Sequence, residues 1–254
     1  MKKPSRAPFK PRFKDKSKAG DEPEPFIVDS LAAIEVYLRF RPRSIKKIMA
    51  TSGGLQKIAH YPSLQGIPVE MIPSVSSKHL SAVVEHSTMD EDTFCRRIKG
   101  RQHDRILALD HITDPRNLGA IARSACYFGI KEIIVPARRQ VLLTPASVAT
   151  AQGAFAFVDL VEVTNLSRVL RKLKDMEYWI LTADMAGESF AEFRNIYERS
   201  VLVMGAEDRG ISPVIKKLSD RAVTIHGAEA GLGSLNVSVA AGILLRGLFD
   251  QEKT

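Results

Sequence analysis

Three polar segments in the second half of the chain hold the side chains best suited to chemistry. Each follows a short apolar run that predicts a buried strand, and they span residues 109–125, 203–212 and 223–240. In open parallel sheets, ligands bind beyond the carboxyl ends of the strands, where such loops meet. The pattern therefore predicts one binding crevice that the three segments share.

The first segment combines an amide with an arginine. Asp114-Pro115 predicts a turn, and Asn117 is placed to cap the helix that follows. Arg123 comes later in that helix, so the Asn117 and Arg123 side chains point about 120° apart if both residues are helical. A contact between them would need Asn117 to lie in the loop. On spacing alone, a helix cap and an unrelated surface arginine are the favoured explanation of the pair.

The other two segments bring glycines close to polar side chains. Gly205-Ala206-Glu207 ends a buried strand, which indicates backbone that approaches a ligand closely. The third segment continues from Ile225 through a glycine-rich loop into a helix that starts near Ser234. Free N–H groups at such a helix start bind anionic or carbonyl ligands. Local roles remain open, since Glu207 suits a helix start and Ser234 and Asn236 suit capping.

Other kinds of site find little support in the sequence. Neither the phosphate loop GxxxxGK[ST] nor a GxGxxG after the first strand is present, which disfavours nucleoside triphosphates and ordinary dinucleotides. The six histidines are scattered without an HxxxH pair, and no cysteine stands at metal-ligand spacing. Cys126 is expected to be a buried, inert thiol. The sequence therefore predicts no metal site.

Composition and charge limit the class of protein. The chain has 254 residues, of which 44% are hydrophobic and 26% charged, as in soluble globular proteins. No apolar run is long enough to span a membrane, and two cysteines without CxxC spacing favour a reducing, cytoplasmic compartment.

Much of the net charge of +8 lies in residues 1–20, where eight Lys/Arg face one acid. We expect residues 1–24 to be a disordered basic tail, serving either as a tether to nucleic acid or as a solubilising extension; a mitochondrial presequence is a weaker alternative.

The rest of the chain divides into a small module, a linker and a larger domain. Helical and strand periodicity alternate over residues 25–88, which predicts a small α/β module ending in a helix at Ser77–Val84. Residues 89–104 are polar and charged and are expected to form an interdomain linker. Residues 105–254 alternate strands and helices, which predicts a mostly parallel sheet covered on both faces. Predicted strands lie at Arg105–Leu109, Glu132–Val135, Phe157–Val161, Trp179–Ala183, Ser200–Met204 and Ala222–Ile225, and predicted helices at Asn117–Tyr127, Pro145–Thr150, Leu166–Asp175, Pro213–Leu218 and Leu235–Phe249.

Taken in order, the three segments resemble the motifs of the SpoU (TrmH-like) branch of the SPOUT superfamily. The matching stretches are Asp114-Pro115-Arg116-Asn117-Leu118-Gly119-Ala120 with Arg123, Gly205-Ala206-Glu207 with Gly210, and Ser234-Leu235-Asn236-Val237-Ser238-Val239-Ala240. These are RNA ribose 2′-O-methyltransferases that use S-adenosyl-L-methionine. Residues 26–88 are similar to the small RNA substrate-binding module, related to a ribosomal-protein fold, that precedes the methyltransferase domain in ribosomal-RNA members.

The resemblance implies a fold, a site and partners. The fold would be a parallel sheet whose C-terminal segment forms a deep trefoil knot. The cofactor would lie in the knot near Gly205, Ile225 and Leu235, where glycine leaves room for the adenosine. Arg123 would assist the 2′-hydroxyl, either as a base or as a phosphate ligand. The polar residues that orient this arginine, the ribose and the cofactor would be Asn117, Glu207, Ser234 and Asn236. The resemblance further implies a homodimer without membrane contact, and RNA as partner, with ribosomal RNA favoured over transfer RNA; a non-catalytic RNA-binding or assembly factor is the competing class.

Overall fold

The computed structural model describes residues 25–74, 79–137, 143–190, 198–227 and 233–249. The predicted basic tail therefore lies outside the described residues. Residues 191–197 and 228–232, within the domain predicted to be knotted, lie outside them as well. The knot consequently stays a prediction. Within the described residues, no helix is both long and apolar enough to span a membrane.

The first module contains a four-stranded sheet with two helices. Its strands β1 (Phe26–Val28), β2 (Ile45–Ala50), β3 (Val69–Met71) and β4 (Leu80–Val84) have the order β1-β4-β2-β3, and its helices are α1 (Leu31–Phe40) and α2 (Ser52–Ile58). The helix predicted at Ser77–Val84 is wrong, because Leu80–Val84 is a strand that pairs antiparallel with both β1 and β2. A short apolar run buried in the middle of a sheet has no alternation that would distinguish it from a helix.

The stretch predicted as a linker is part of the larger domain. Met89–Asp90 forms β5, which pairs with the larger sheet, and Glu91–Ile98 forms α3. Asp90 caps α3 by accepting a hydrogen bond from the Thr93 N–H at 2.8 Å. Only two side chains of this helix, Phe94 and Ile98, are fully buried. Because they lie four residues apart, they share one face of the helix and anchor it to the core. Their neighbours are mostly charged, which is why the composition of this stretch resembles that of a linker.

The larger domain is built on a seven-stranded sheet in which every neighbouring pair is parallel. This confirms the predicted α/β class with a mostly parallel sheet. The order is β11-β9-β10-β6-β7-β8-β5. Its further strands are β6 (Asp104–Asp110), β7 (Glu132–Pro136), β8 (Asp159–Val163), β9 (Trp179–Ser189), β10 (Arg199–Gly205) and β11 (Arg221–Thr224), and its further helices are α4 (Pro115–Tyr127), α5 (Pro145–Ala151), α6 (Leu166–Asp175), α7 (Pro213–Lys216) and α8 (Val237–Phe249).

Helices cover both faces of this sheet, as the apolar strands require. Along β6, Leu107 and Leu109 enter one apolar core with α4, α5 and α8, whereas Ile106 and Ala108 enter the other with α3, α6 and α7. The small module packs into the first of these cores. The three polar segments follow β6, β10 and β11, and all three therefore leave the sheet at its carboxyl edge.

Candidate active site

The first segment forms the start of α4. Asp114 caps this helix, because its carboxylate accepts a hydrogen bond from the Arg116 N–H at 2.8 Å, and Pro115 occupies the first helical position. The prediction that Asn117 is the cap is therefore wrong. Asn117 lies inside the first turn, and only 8% of it is exposed. Since the helix already has its cap, the Asn117 amide is directed to other segments.

One hydrogen-bonded cluster joins the three segments. Asn117 Nδ2 donates to Glu207 Oε1 at 3.2 Å, and Asn236 Nδ2 donates to the same oxygen at 2.7 Å. Asn236 Nδ2 also lies 3.1 Å from Asn117 Oδ1. We call Asn117, Glu207 and Asn236 the amide–carboxylate cluster. It brings together three of the predicted site residues from α4, the loop after β10 and the residue before α8.

The amide–carboxylate cluster also fixes the start of α8. Glu207 Oε1 accepts a hydrogen bond from the Val237 N–H at 3.2 Å, where the helix dipole favours a negative charge. Asn236 Oδ1 accepts from the Ser238 N–H at 2.9 Å and from the Ser238 hydroxyl at 2.6 Å. The capping role that the sequence left open for Asn236 is thus realised. The same side chain nevertheless contacts the other two segments, so capping and site assembly are one arrangement.

A cavity of about 900 Å³ opens beside this cluster, between the carboxyl ends of β9, β10 and β11 and the start of α8. Five of the predicted site residues line it: Gly205, Glu207, Ile225, Ser234 and Leu235. Buried apolar side chains of Met204, Ile211, Val223 and Leu244 form much of its wall. The cavity therefore offers a largely apolar interior with polar groups at its edge, as small-ligand sites usually do.

Gly205 is required by the backbone that follows it. A Cβ atom at this position would lie 2.3 Å from the carbonyl carbon of Gly210, because the chain folds back after the strand. The Gly210 N–H donates to the Ala206 carbonyl oxygen at 2.8 Å, and Gly210 has a φ of 65°. The resemblance predicts that Gly205 leaves room for an adenosine. The structure gives it another reason, since this tight turn is what carries Glu207 into the cluster.

Arg123 stands apart from the other predicted residues. It is exposed on α4, and within the described residues no hydrogen bond or ion pair involves it. Because Asn117 is helical, the two side chains diverge by about 120°, as their spacing requires. Within one chain, the structure therefore assembles Asn117, Glu207 and Asn236 but leaves Arg123 outside the cluster.

Sequence reasoning missed three residues that shape the site. Asp110, at the end of β6, is 1% exposed and accepts a hydrogen bond from the Ser212 N–H at 2.7 Å, which ties the first segment to the second. Asp184 and Lys216 line the cavity and form an ion pair. The hydrogen bond from Lys216 holds the pKa of the Asp184 carboxyl below its ordinary value. In the sequence, an aspartate at the end of an apolar run was a signal that could have identified Asp110. No sequence motif marks Asp184 or Lys216.

Metal ligands are not grouped in the part of the chain that the structure describes. Within it, no three His, Cys, Asp or Glu side chains are arranged to hold a metal ion.

Comparison with known families and proteins gives consistent matches. The SpoU rRNA Methylase family matches residues 104–246. A 23S rRNA (guanosine-2′-O-)-methyltransferase, RlmB, from Acinetobacter baylyi is 34% identical over 207 residues, which are 80% of this chain and 78% of that protein. An uncharacterised tRNA/rRNA methyltransferase from Borreliella burgdorferi is 29% identical over 205 residues, which are 81% of this chain and 87% of that protein.

Solved structures share the fold over most of the chain. A putative RNA methyltransferase of the TrmH family from Porphyromonas gingivalis superposes with a TM-score of 0.72 at 24% identity, covering 88% of this chain and 89% of that one. The SpoU methyltransferase AviRb from Streptomyces viridochromogenes, in complex with AdoMet, gives 0.71 at 22% identity and covers 88% of both chains. Because both alignments cover 88% of this chain, the common fold extends well beyond the matched domain into the small module.

Proposed function

Because the chain belongs to the SpoU rRNA methylase family, we propose that it transfers a methyl group from S-adenosylmethionine to a ribose 2′-hydroxyl of RNA. The observation that carries this proposal is the amide–carboxylate cluster at the edge of the cavity. The cluster is built from all three family motifs and connects them through Glu207 Oε1. Ribosomal RNA is the favoured substrate, since a relative that aligns with 80% of this chain acts on 23S rRNA.

The cavity fits a nucleoside that carries a positive charge. Its wall of Met204, Ile211 and Val223 suits an adenine ring, and the Glu207 carboxylate at its edge favours a cation. Residues 225–227 and 233–236 lie outside helices and strands, so their peptide groups are the ones we expect to bind the adenosine. Gly205, Ile225 and Leu235 are the proposed contacts. When bound there, S-adenosylmethionine supplies an electrophilic methyl group.

The protein's own side chains have to align and activate the ribose. Glu207 and Asn236 fix the start of α8 beside the cavity, and Asn117 holds α4 against it. Ser234 lines the cavity next to them and is proposed to orient the cofactor. Arg123 is proposed to contact the RNA. Its guanidinium is always charged at neutral pH, so we infer that it binds the phosphate next to the reacting ribose, and that solvent water takes up the hydroxyl proton released when the ribose oxygen is methylated.

The exposed face of α4 supports a homodimer. Tyr127 is 85% exposed on this helix, and Val239 is 51% exposed on α8, which packs against α4. Exposed aromatic and apolar side chains on adjoining helices favour contact with a second copy of the chain. Arg123 lies one turn before Tyr127 and therefore on the same face. A dimer that covers Tyr127 would place Arg123 near the partner's site. It would thereby supply the arginine that the amide–carboxylate cluster of one chain lacks.

The setting inferred for this reaction is the cytoplasm. Cys95 and Cys126 are both free thiols in the structure, which suits a reducing compartment. Ribosomal RNA as substrate supports the same placement.

The decisive experiment is methyl transfer to defined RNA. The purified protein would be incubated with tritiated S-adenosylmethionine and ribosomal RNA from cells that lack the gene. The RNA would then be digested to nucleosides. We expect label in a single 2′-O-methylnucleoside, and transfer RNA is the matched alternative substrate. Label in a methylated base, or binding of S-adenosylmethionine without any transfer to either RNA, would overturn the proposal.

A further inference from the structure

The ion pair of Asp184 and Lys216 is a feature of the cavity that the three motifs do not include. Asp184 lies in β9, the strand between β10 and β11, and Lys216 is the last residue of α7. Both side chains line the cavity. The pair is therefore placed to contact the same ligand as the motif residues, from a different wall.

The Asp184 carboxylate is held rigidly. Lys216 Nζ lies 2.5 Å from Asp184 Oδ2, and the Ala186 N–H donates to Asp184 Oδ1 at 3.1 Å. The Asp184 side chain is 19% exposed, whereas the Lys216 side chain is 47% exposed. An ionised carboxylate has about four acceptor positions, and these two contacts use about half of them. Asp184 therefore presents fixed acceptors to the cavity at little further cost in side-chain entropy.

The other carboxylate of the cavity is already committed. Glu207 Oε1 accepts hydrogen bonds from Asn117, Asn236 and the Val237 N–H. Its partners belong to α4 and α8, which pack on one face of the sheet, whereas Ile215 beside Lys216 is buried in the core on the other face. The partners of Asp184 and Glu207 thus belong to elements on opposite faces of the sheet. The two carboxylates are expected to contact different parts of one ligand.

The charge balance of the pair decides which ligand group it suits. Lys216 neutralises the Asp184 charge, so an ammonium group would have to compete with Lys216 for the carboxylate. Neutral hydroxyl donors meet no such competition, because they use the acceptor positions that Lys216 leaves. A vicinal diol offers two such donors, and acidic side chains at strand ends bind ribose in this way in other nucleotide-binding folds.

We infer that Asp184 binds the ribose diol of the nucleoside cofactor, with Lys216 as the positioning residue that holds the carboxylate in place. The inference rests on the proposed function, which supplies the nucleoside. It assigns Asp184 a role in affinity and specificity rather than in the methyl transfer itself.

Calorimetric titration of the full chain with cofactor fragments tests this assignment. The probes are S-adenosylhomocysteine, 5′-methylthioadenosine, which lacks the amino-acid end, and the pair adenosine and 2′,3′-dideoxyadenosine, measured by competition. Asp184→Ala is expected to weaken the first two ligands equally, by about 10- to 100-fold, as expected for hydrogen bonds to a charged group. The preference of the wild-type protein for adenosine over dideoxyadenosine should disappear in this variant.

Three further variants keep the test independent of folding. Asp184→Asn retains an acceptor for the Ala186 N–H and should show the same pattern with an unchanged melting temperature. Lys216→Met is expected to weaken all ligands that carry the diol, and Lys216→Arg should restore them; a purely structural role would not depend on the diol.

Each negative result in these titrations would contradict a different assignment. A loss confined to S-adenosylhomocysteine, with methylthioadenosine unaffected, would assign the pair to the amino-acid end and overturn the inference. Unchanged affinities in Asp184→Ala would overturn it as well. If the wild-type protein bound none of the probes, the proposed function itself would fall.

Discussion

Glu207 shows how much of the site depends on a single oxygen atom. Its Oε1 accepts from two amides and from the first N–H of α8, so it connects parts of the chain that are far apart in sequence. The adjacent Asp208 is also exposed but pairs only with its neighbour Arg209 within the described residues. These two consecutive carboxylates provide a matched test of the amide–carboxylate cluster.

Glu207→Gln is expected to lower the rate of methyl transfer by about 10- to 100-fold, because a charge-assisted acceptor at a helix start is lost. Asp208→Asn should leave the rate unchanged. The measurement is kcat with tritiated S-adenosylmethionine, together with calorimetric affinity for S-adenosylhomocysteine. Equal rates in the two variants would show that the cluster has no part in turnover.

At the scale of residues, the sequence identifies the members of the site better than it identifies the contacts between them. The resemblance selected Asn117, Glu207 and Asn236, which the structure brings within hydrogen-bonding distance. It did not indicate Asp184 and Lys216. Their contact depends on how β9 and α7 pack in three dimensions, and no local pattern encodes that packing. Asp114 rather than Asn117 caps α4 because it stands directly before the proline that starts the helix.

At the scale of elements, the alternation of strands and helices in the larger domain was readable because buried parallel strands form continuous apolar runs. Helix α6, for example, has the predicted bounds Leu166–Asp175. The errors lie where this signal is weak. Strand β4 is short and central, and α3 is polar except for two buried side chains. Both depend on tertiary contacts that composition does not reveal.

Close packing of α4 against α5 positions the helix that carries Asn117. A Cβ at Gly119 would lie 2.4 Å from the Ser147 carbonyl oxygen. Gly119→Ala is therefore expected to lower the free energy of unfolding by about 1–3 kcal/mol. The control is Gly53→Ala in α2, where nothing lies within 4 Å of the added Cβ; it should raise stability by about 0.5–1 kcal/mol. Urea unfolding measures both, and equal effects would contradict the packing argument.

The contact between the small module and the larger domain contains a buried histidine. His86 Nε2 lies 2.5 Å from the Tyr37 hydroxyl, and the His86 ring contacts Phe155. Burial, together with the Arg41 guanidinium, lowers the pKa of His86 to about 4. Nearby Asp159 opposes this shift; its own pKa lies below the ordinary value, because hydrogen bonds from Arg41 and Arg97 outweigh the effect of burial.

The lowered pKa predicts a loss of stability in mild acid. Between about pH 6.5 and pH 4 the unfolded state binds a proton at His86 that the folded state does not, so the free energy of unfolding falls as the pH falls. The full effect is on the order of 3 kcal/mol. Urea midpoints at pH 7.5 and pH 4.5 measure it. His86→Gln should reduce the difference, whereas His60→Gln, at an exposed histidine, should not; an identical pH response in all three proteins would contradict the prediction.

At the scale of the whole molecule, one chain accounts for only part of the proposed machinery. The amide–carboxylate cluster and the described lining of the cavity belong to a single chain, but Arg123 is exposed on α4 beside the strongly exposed Tyr127. The sequence could indicate this arrangement, since residues six apart on a helix diverge by about 120°. It could not indicate what covers this face, which the proposed homodimer would cover with a second copy of the chain.

Subunit complementation tests whether Arg123 serves the partner's site. Arg123→Ala alone should abolish methyl transfer while leaving S-adenosylhomocysteine affinity intact, and Asn236→Ala should be strongly impaired. A heterodimer of the two, isolated with different tags, combines one intact cluster with one intact arginine. If the arginine acts across the interface, the heterodimer should recover about half of the wild-type activity, because one of its two sites is complete. If it acts within its own chain, both sites are defective and the heterodimer stays inactive. Substantial activity in Arg123→Ala itself would remove this residue from the mechanism, and a monomer in sedimentation experiments would remove the interface.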